Sequence, residues 1–92
     1  MSVYVDHLKP WEAHRWWAHM CVGANDPLDD LHEFAQRIGL QRRWFQDKPR
    51  YPHYDVTPGM HRRALACGAR ELCRVEFVRT CSREAKAHAT KG

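Results

Sequence analysis

No apolar run in this chain approaches the ~20 residues a membrane-spanning helix needs, so no membrane role is expected. The four cysteines, Cys21, Cys67, Cys73 and Cys81, never form a C-x-x-C pair. That spacing disfavours a thiolate zinc site. No leader pattern opens the chain, because Met1-Ser2-Val3-Tyr4-Val5-Asp6 runs directly into a strand pattern. The thiols are therefore expected to be reduced, cytosolic, and packed as small hydrophobes. There is no G-x-S-x-G elbow and no Walker-type glycine loop, and Ser2 and Ser82 lie near the ends. Nucleophilic serine chemistry and P-loop phosphate binding are thereby disfavoured. No block of about five like charges occurs, and no classical nucleic-acid motif, longer-period repeat or linker is present.

What remains is one small domain of 92 residues. A domain of this size buries only about 60% of its unfolded surface. Oligomerisation would ease that limit, and four tryptophans supply large buriable rings. The formal charge of +4 and pI near 9.1 favour anionic partners: a small molecule such as a nucleotide, an acidic protein face, or nucleic acid bound non-specifically. Seven histidines stand out, because imidazole titrates near neutrality and is the commonest metal ligand.

Val3-Tyr4-Val5 alternates as a first strand, with Asp6 at its end. His7 to Arg15, broken by Pro10, reads as an irregular connection. Trp16 to Val22 reads as a second strand, with Trp17, His19 and Cys21 on one face. Trp16, Ala18, Met20 and Val22 form the other face, expected to be core. Asn25-Asp26-Pro27 is a helix start in which Asp26 can cap, with Asp29 and Asp30 at the positive end of the dipole. Leu31, Phe34, Ala35 and Ile38 recur at helical spacing up to Gly39, predicting a helix over about 27–38. His32 sits at the edge of that stripe. Leu40 to Gln46 reads as a short strand, and Asp47 to Tyr54 as a loop punctuated by Pro49 and Pro52.

Thr57-Pro58 opens a second helix, with Met60, Ala64 and Cys67 on one stripe and Gly68 as its stop. Ala69 to Cys73 reads as a strand. Val75 to Cys81 fits either period, and a short strand followed by a helix is the preferred reading. The expected architecture is α/β (α+β): one sheet of three to five strands with two or three helices packed on it. It forms a single domain over 1–81, followed by a polar extension over 82–92.

The chemistry concentrates in Arg42-Arg43-Trp44-Phe45-Gln46 and Pro52-His53-Tyr54-Asp55. These spans are nearly free of aliphatic residues and suit a ligand-facing surface. His53 and Asp55, two apart in an extended segment, project to one side. They suit either an oriented acid–base pair or two ligands of a divalent metal, completed from Asp6, His19 or His7. A plainer role is a hydrogen-bonded loop in which Asp55 helps cap the second helix. Arg42 and Arg43 can fork onto phosphate or carboxylate, and Trp44, with Gln46, can stack on a planar ligand. A strand with Trp44 inside and solvated arginines is the structural alternative.

Several of these motifs resemble a family of short bacterial and phage proteins. They are Val3 to Asp6, His19-Met20, Asp30 to Ala35 with Ile38-Gly39, Arg42 to Gln46, His53 to Asp55, and Arg63 to Ala69. The family is classed as domain of unknown function 4031. The resemblance covers most of the chain up to about residue 73 and implies a cytosolic bacterial or phage setting, with no activity to carry over. The tryptophan-rich stretch from Trp11 to Trp17 departs from the family pattern.

Three functions follow as expectations. The first is binding of an anionic, nucleotide-like ligand at Asp6, His19, Arg42, Arg43, Trp44, Gln46, His53 and Asp55. The second is a metal-assisted hydrolase using His53, Asp55 and Asp6. The third is a phage factor that grips a host protein through exposed Trp11, Trp16 or Trp17.

Overall fold

The alternating and helical patterns assemble into one mixed sheet with helices on both faces. The computed structural model describes residues 2–12 and 15–83; the side chain of Trp11 and the extension from 84 onward lie outside the described residues. The strands are β1 (Val3–Val5), β2 (Lys9–Glu12), β3 (Arg15–Val22), β4 (Phe45–Gln46), β5 (His53–Val56) and β6 (Arg70–Glu71). They are ordered β4-β5-β3-β1-β6, with β2 also paired to β3. All pairings are antiparallel except β1 with β6. The helices are α1 (Leu28–Ile38), α2 (Pro58–Ala66) and α3 (Arg74–Cys81). The α+β class is as the sequence predicts, with six strands rather than three to five.

The sixth strand comes from a segment expected to be irregular. Lys9–Glu12 pairs with the start of β3, and the register shifts between Pro10 and Glu12. Among the described residues β2 pairs on one side only, where the missing N–H of Pro10 is tolerated.

One sheet face carries Val3, Val5, Ala18, Met20, Val22, Tyr54 and Val56, packed with Leu31, Phe34, Ala35 and Ile38 of α1 and Ala64 of α2. Trp16 does not join this core. It lies on the part of β3 that pairs with β2 and is 48% exposed. The opposite face holds Tyr4 and Cys21, covered by Leu72, Phe77 and Cys81. The buried pair Cys21 and Cys81 supports the reading of these thiols as small hydrophobes, and burial together with Cys81 pushes the Cys21 thiol far up. Cys67 and Cys73 are exposed instead.

Helix α1 begins one residue later than predicted and without a side-chain cap. Asp26 turns away from the helix, its carboxylate accepting the Gly23 N–H at 3.2 Å. Helix α2 is capped by Thr57, whose hydroxyl accepts the Met60 N–H at 3.3 Å. Asp55 therefore takes no part in that cap. On α2 the buried stripe is His61 and Ala64, while Cys67 is exposed. Leu40 to Gln46 is not one strand. Arg42–Trp44 form a single 3-10 turn, which leaves β4 only two residues. Residues 74–81 are helical throughout, so no short strand precedes the helix; the buried positions are Phe77 and Cys81, while Val75 and Val78 are exposed. The predicted strand over 69–73 shrinks to Arg70–Glu71. Arg83, at the start of the expected extension, is docked: its guanidinium donates to the carbonyls of Gly23 and Asp26, and its N–H to Arg50 O.

Gly39 ends α1 in the left-handed region at φ 102°, where a Cβ would sit 3.1 Å from Arg63 Nη1. That same nitrogen donates to Ile38 O at 2.8 Å. Gly39→Ala should cost on the order of 1–2 kcal/mol in urea unfolding. Gly59→Ala, in α2 with nothing within 4 Å of the added methyl, should instead gain about 0.5 kcal/mol.

Candidate functional site

Between β1 and β2 the chain leaves the β3 ladder at Asp6, and the Asp6 side chain closes the gap. Its backbone N–H donates to His19 O at 3.1 Å, while Oδ1 accepts the His19 N–H at 2.7 Å. Oδ2 accepts from His19 Nδ1 at 2.9 Å and from Lys9 Nζ at 3.0 Å. From below, His61 Nε2 donates to Asp6 O at 3.0 Å. Asp6 is only 4% exposed. Burial by itself would raise its pKa; the bonds from His19 and Lys9 outweigh that and hold it at about 2.

These bonds set the geometry on the other side of β3. Both main-chain polar groups of His19 point towards Asp6, so its pairing with Asp55 on β5 is of the non-hydrogen-bonded kind. In that kind of pair the facing side chains lie closest. His53, two residues earlier on β5, shares the face. The His19 and His53 rings meet edge to face at 5.0 Å between centroids, and His53 Nε2 lies 3.3 Å from Asp55 Oδ1. His53 Nδ1 is 2.6 Å from Tyr51 O. A carboxylate and a carbonyl only accept, so both Nδ1 atoms must be donors. Each neutral ring then keeps its lone pair on Nε2, and the His53 Nε2–Asp55 bond belongs to the protonated ring.

Burial would lower the His53 pKa, but the bonds to Asp55 and to the Tyr51 carbonyl outweigh it and raise it. The same His53 bond lowers that of Asp55, against burial.

α3 covers only part of this sheet face, and beside it opens a cleft of about 680 Å³. Asp6, His19 and His53 meet Phe77 and Val78 there, with Lys9, Lys48, Arg50, Tyr51 and Arg74 around them. His19 and Phe77 rings lie 6.2 Å apart. A smaller cleft of about 170 Å³ adjoins, lined by Lys9, Trp17, His19 and Asp55. The indole N–H of Trp17 is buried without a hydrogen-bond partner among the described residues, a costly arrangement unless something accepts it.

Of the residues singled out in the sequence, Asp6, His19, His53 and Asp55 come together. Arg42, Arg43 and Trp44 do not join them. Arg42 stacks 5.3 Å above the Phe45 ring and lines a separate groove with His32 and Tyr54, and Tyr54 points to the opposite sheet face from His53. Trp44 is 43% exposed on its 3-10 turn. Gln46 stands opposite His53 on β4, half-buried, but does not line the cleft. His32 is hydrogen-bonded to the Tyr54 hydroxyl at 2.9 Å, and burial and Arg42 lower its pKa. His7 pairs with Glu71 at 2.8 Å.

Sequence reasoning missed Lys9, Lys48, Arg50, Arg74, Phe77 and His61. His61, three residues before Ala64, was open to detection as a helical-stripe position. Lys9 gains its meaning from the pairing of β2 with β3, and the others from the packing of α3.

The chain belongs to the family described as "Protein of unknown function (DUF4031)", whose model matches residues 3–84. No curated protein and no solved structure matches it.

Because Asp6 has a lowered folded pKa, its contribution to stability is complete above the unfolded value of 3.8 and is lost as pH falls towards 2. Asp6→Asn should cost on the order of 2 kcal/mol at pH 7. Urea unfolding at a series of pH values should show the gap between variant and parent narrowing below pH 4. A constant gap would mean that the charge of Asp6 is not what stabilises.

Proposed function

We propose that this member of the unknown-function family binds an anionic, partly planar small molecule, of the nucleotide or sugar-phosphate kind, in the cleft between the sheet and α3. The observation that carries the reading is the charge of the lining. Lys9, Lys48, Arg50 and Arg74 surround the cleft, and Asp6 is the one anionic wall residue among the described residues. Asp6 is already matched by Lys9 and His19. Lys48, Arg50 and Arg74 make no ion pair among the described residues. Cations left unpaired around a concave site attract phosphate, with Arg suited to bidentate contact. Tyr51, Phe77 and Val78 give the same cleft apolar surface for a flat ring. Its volume falls among those of ordinary small-molecule sites.

The hydrolase reading changes with the geometry. Both carboxylate oxygens of Asp6 are taken, so it positions His19 rather than ligating, and His53 with Asp55 remains the acid–base candidate. The reading of a protein partner rests on Trp16 alone among the described tryptophans of the first hairpin, since Trp17 is half-buried. One exposed ring makes a weaker case than four convergent cations.

The test is a thermal-shift titration of the full chain at low salt with AMP, ribose 5-phosphate and inorganic phosphate. At about ten times Kd, AMP should add about 1.4 kcal/mol, a rise in Tm of roughly 5–10 °C. Arg50→Ala and Arg74→Ala should each shrink that shift, while Arg43→Ala leaves it in place. No shift with any of the three compounds, or equal shifts in parent and Arg50→Ala or Arg74→Ala, would refute the reading.

A further inference from the structure

We infer a mononuclear site for a first-row divalent transition ion at His19, His53 and Asp55, with the free Nε2 of each ring and one Asp55 oxygen as ligands. One donor atom from each residue lies within 4.8 Å of the others. A metal at about 2.0–2.2 Å from its ligands needs donor atoms roughly 3.5 Å apart. The His53–Asp55 pair, at 3.3 Å, already meets that spacing. Closing the rest takes side-chain shifts of about an ångström, with no rearrangement of β3 or β5.

The second shell supports the assignment independently of those distances. Metal-bound imidazoles donate their remote N–H to a carboxylate or a main-chain carbonyl, which fixes the tautomer and aims the other nitrogen. Here one ring has each kind of partner: His19 Nδ1 on Asp6 and His53 Nδ1 on Tyr51 O. Two imidazoles and one carboxylate select zinc, manganese, iron, cobalt or nickel over magnesium or calcium, which prefer all-oxygen sites. Three protein ligands leave coordination positions open. His19 and His53 both line the large cleft, and His19 and Asp55 line the small one, so the open positions adjoin both. An anionic group held by the cleft's cations lies next to them. The metal site itself uses none of Lys48, Arg50 or Arg74, so it does not depend on the ligand reading.

The experiment is a titration of the chelator-treated full chain with Co²⁺, read by its d–d absorption, followed by displacement with Zn²⁺. The expected result is saturation at one equivalent with micromolar affinity. Asp55→Asn and His53→Asn, each checked for folding by circular dichroism, should weaken binding at least about 10-fold. His7→Gln, outside the cluster, should bind as the parent does. Absence of saturable binding below about 1 mM, parent-like affinity in folded Asp55→Asn, or an equal loss in His7→Gln would overturn the assignment. Zn²⁺ binding without an AMP-induced thermal shift upholds the metal site and removes the ligand reading. A shift with AMP in a chain that takes up no metal does the reverse.

Discussion

The contact between Asp6 and His19, made by three hydrogen bonds, is the constraint on which the site depends. Where the chain steps off β3 between β1 and β2, a strand acceptor is missing, and the Asp6 carboxylate supplies it at 2.7 Å. A buried carboxylate is stable only when its oxygens are satisfied, and Asp6 receives bonds from a main-chain N–H, an imidazole and an ammonium. In return it fixes the orientation of His19. The helix on the far side holds the same turn, through His61 and the Asp6 carbonyl. One acidic residue thus ties β1, β3 and α2 together at the edge of the cleft.

Chemistry gathers beside this point because the sheet is covered unevenly. Helices α1 and α2 close one face over an aliphatic core, whereas α3, eight residues long, covers only the Tyr4–Cys21 end of the other. The remainder keeps imidazoles and a carboxylate on paired strands, a better platform for positioned groups than a loop. The loop 47–52 and the start of α3 then bring cations to the rim. Charge follows the same division: Asp6 lies buried at the base of the cleft, and Lys48, Arg50 and Arg74 stand exposed around it.

Much of this was legible in the residues. The periodicity of Leu31, Phe34, Ala35 and Ile38 and the stop at Gly39 describe α1 closely, and Val3–Val5 and the β3 alternation describe the central ladder. The strand-end position of Asp6 and the spacing of His53 and Asp55 pointed to residues that do meet. What was not legible depends on partners distant in sequence. Lys9 looked like part of a connection because Pro10 disguised an edge strand. Lys48, Arg50 and Arg74 looked like ordinary surface cations until α3 was placed. The dense run Arg42 to Gln46 drew attention by composition, but its turn of 3-10 helix directs Arg42 and Trp44 away from the cleft. Local density of polar residues marks a surface; only the sheet register determines which surface.

Asp6 and the Tyr51 carbonyl preset two neutral imidazoles with their Nε2 lone pairs free. Long-range ¹H–¹⁵N spectra of the full chain at alkaline pH measure this directly. The expected result is the Nδ1–H tautomer for both His19 and His53. An Nε2–H tautomer at either neutral ring would contradict that arrangement.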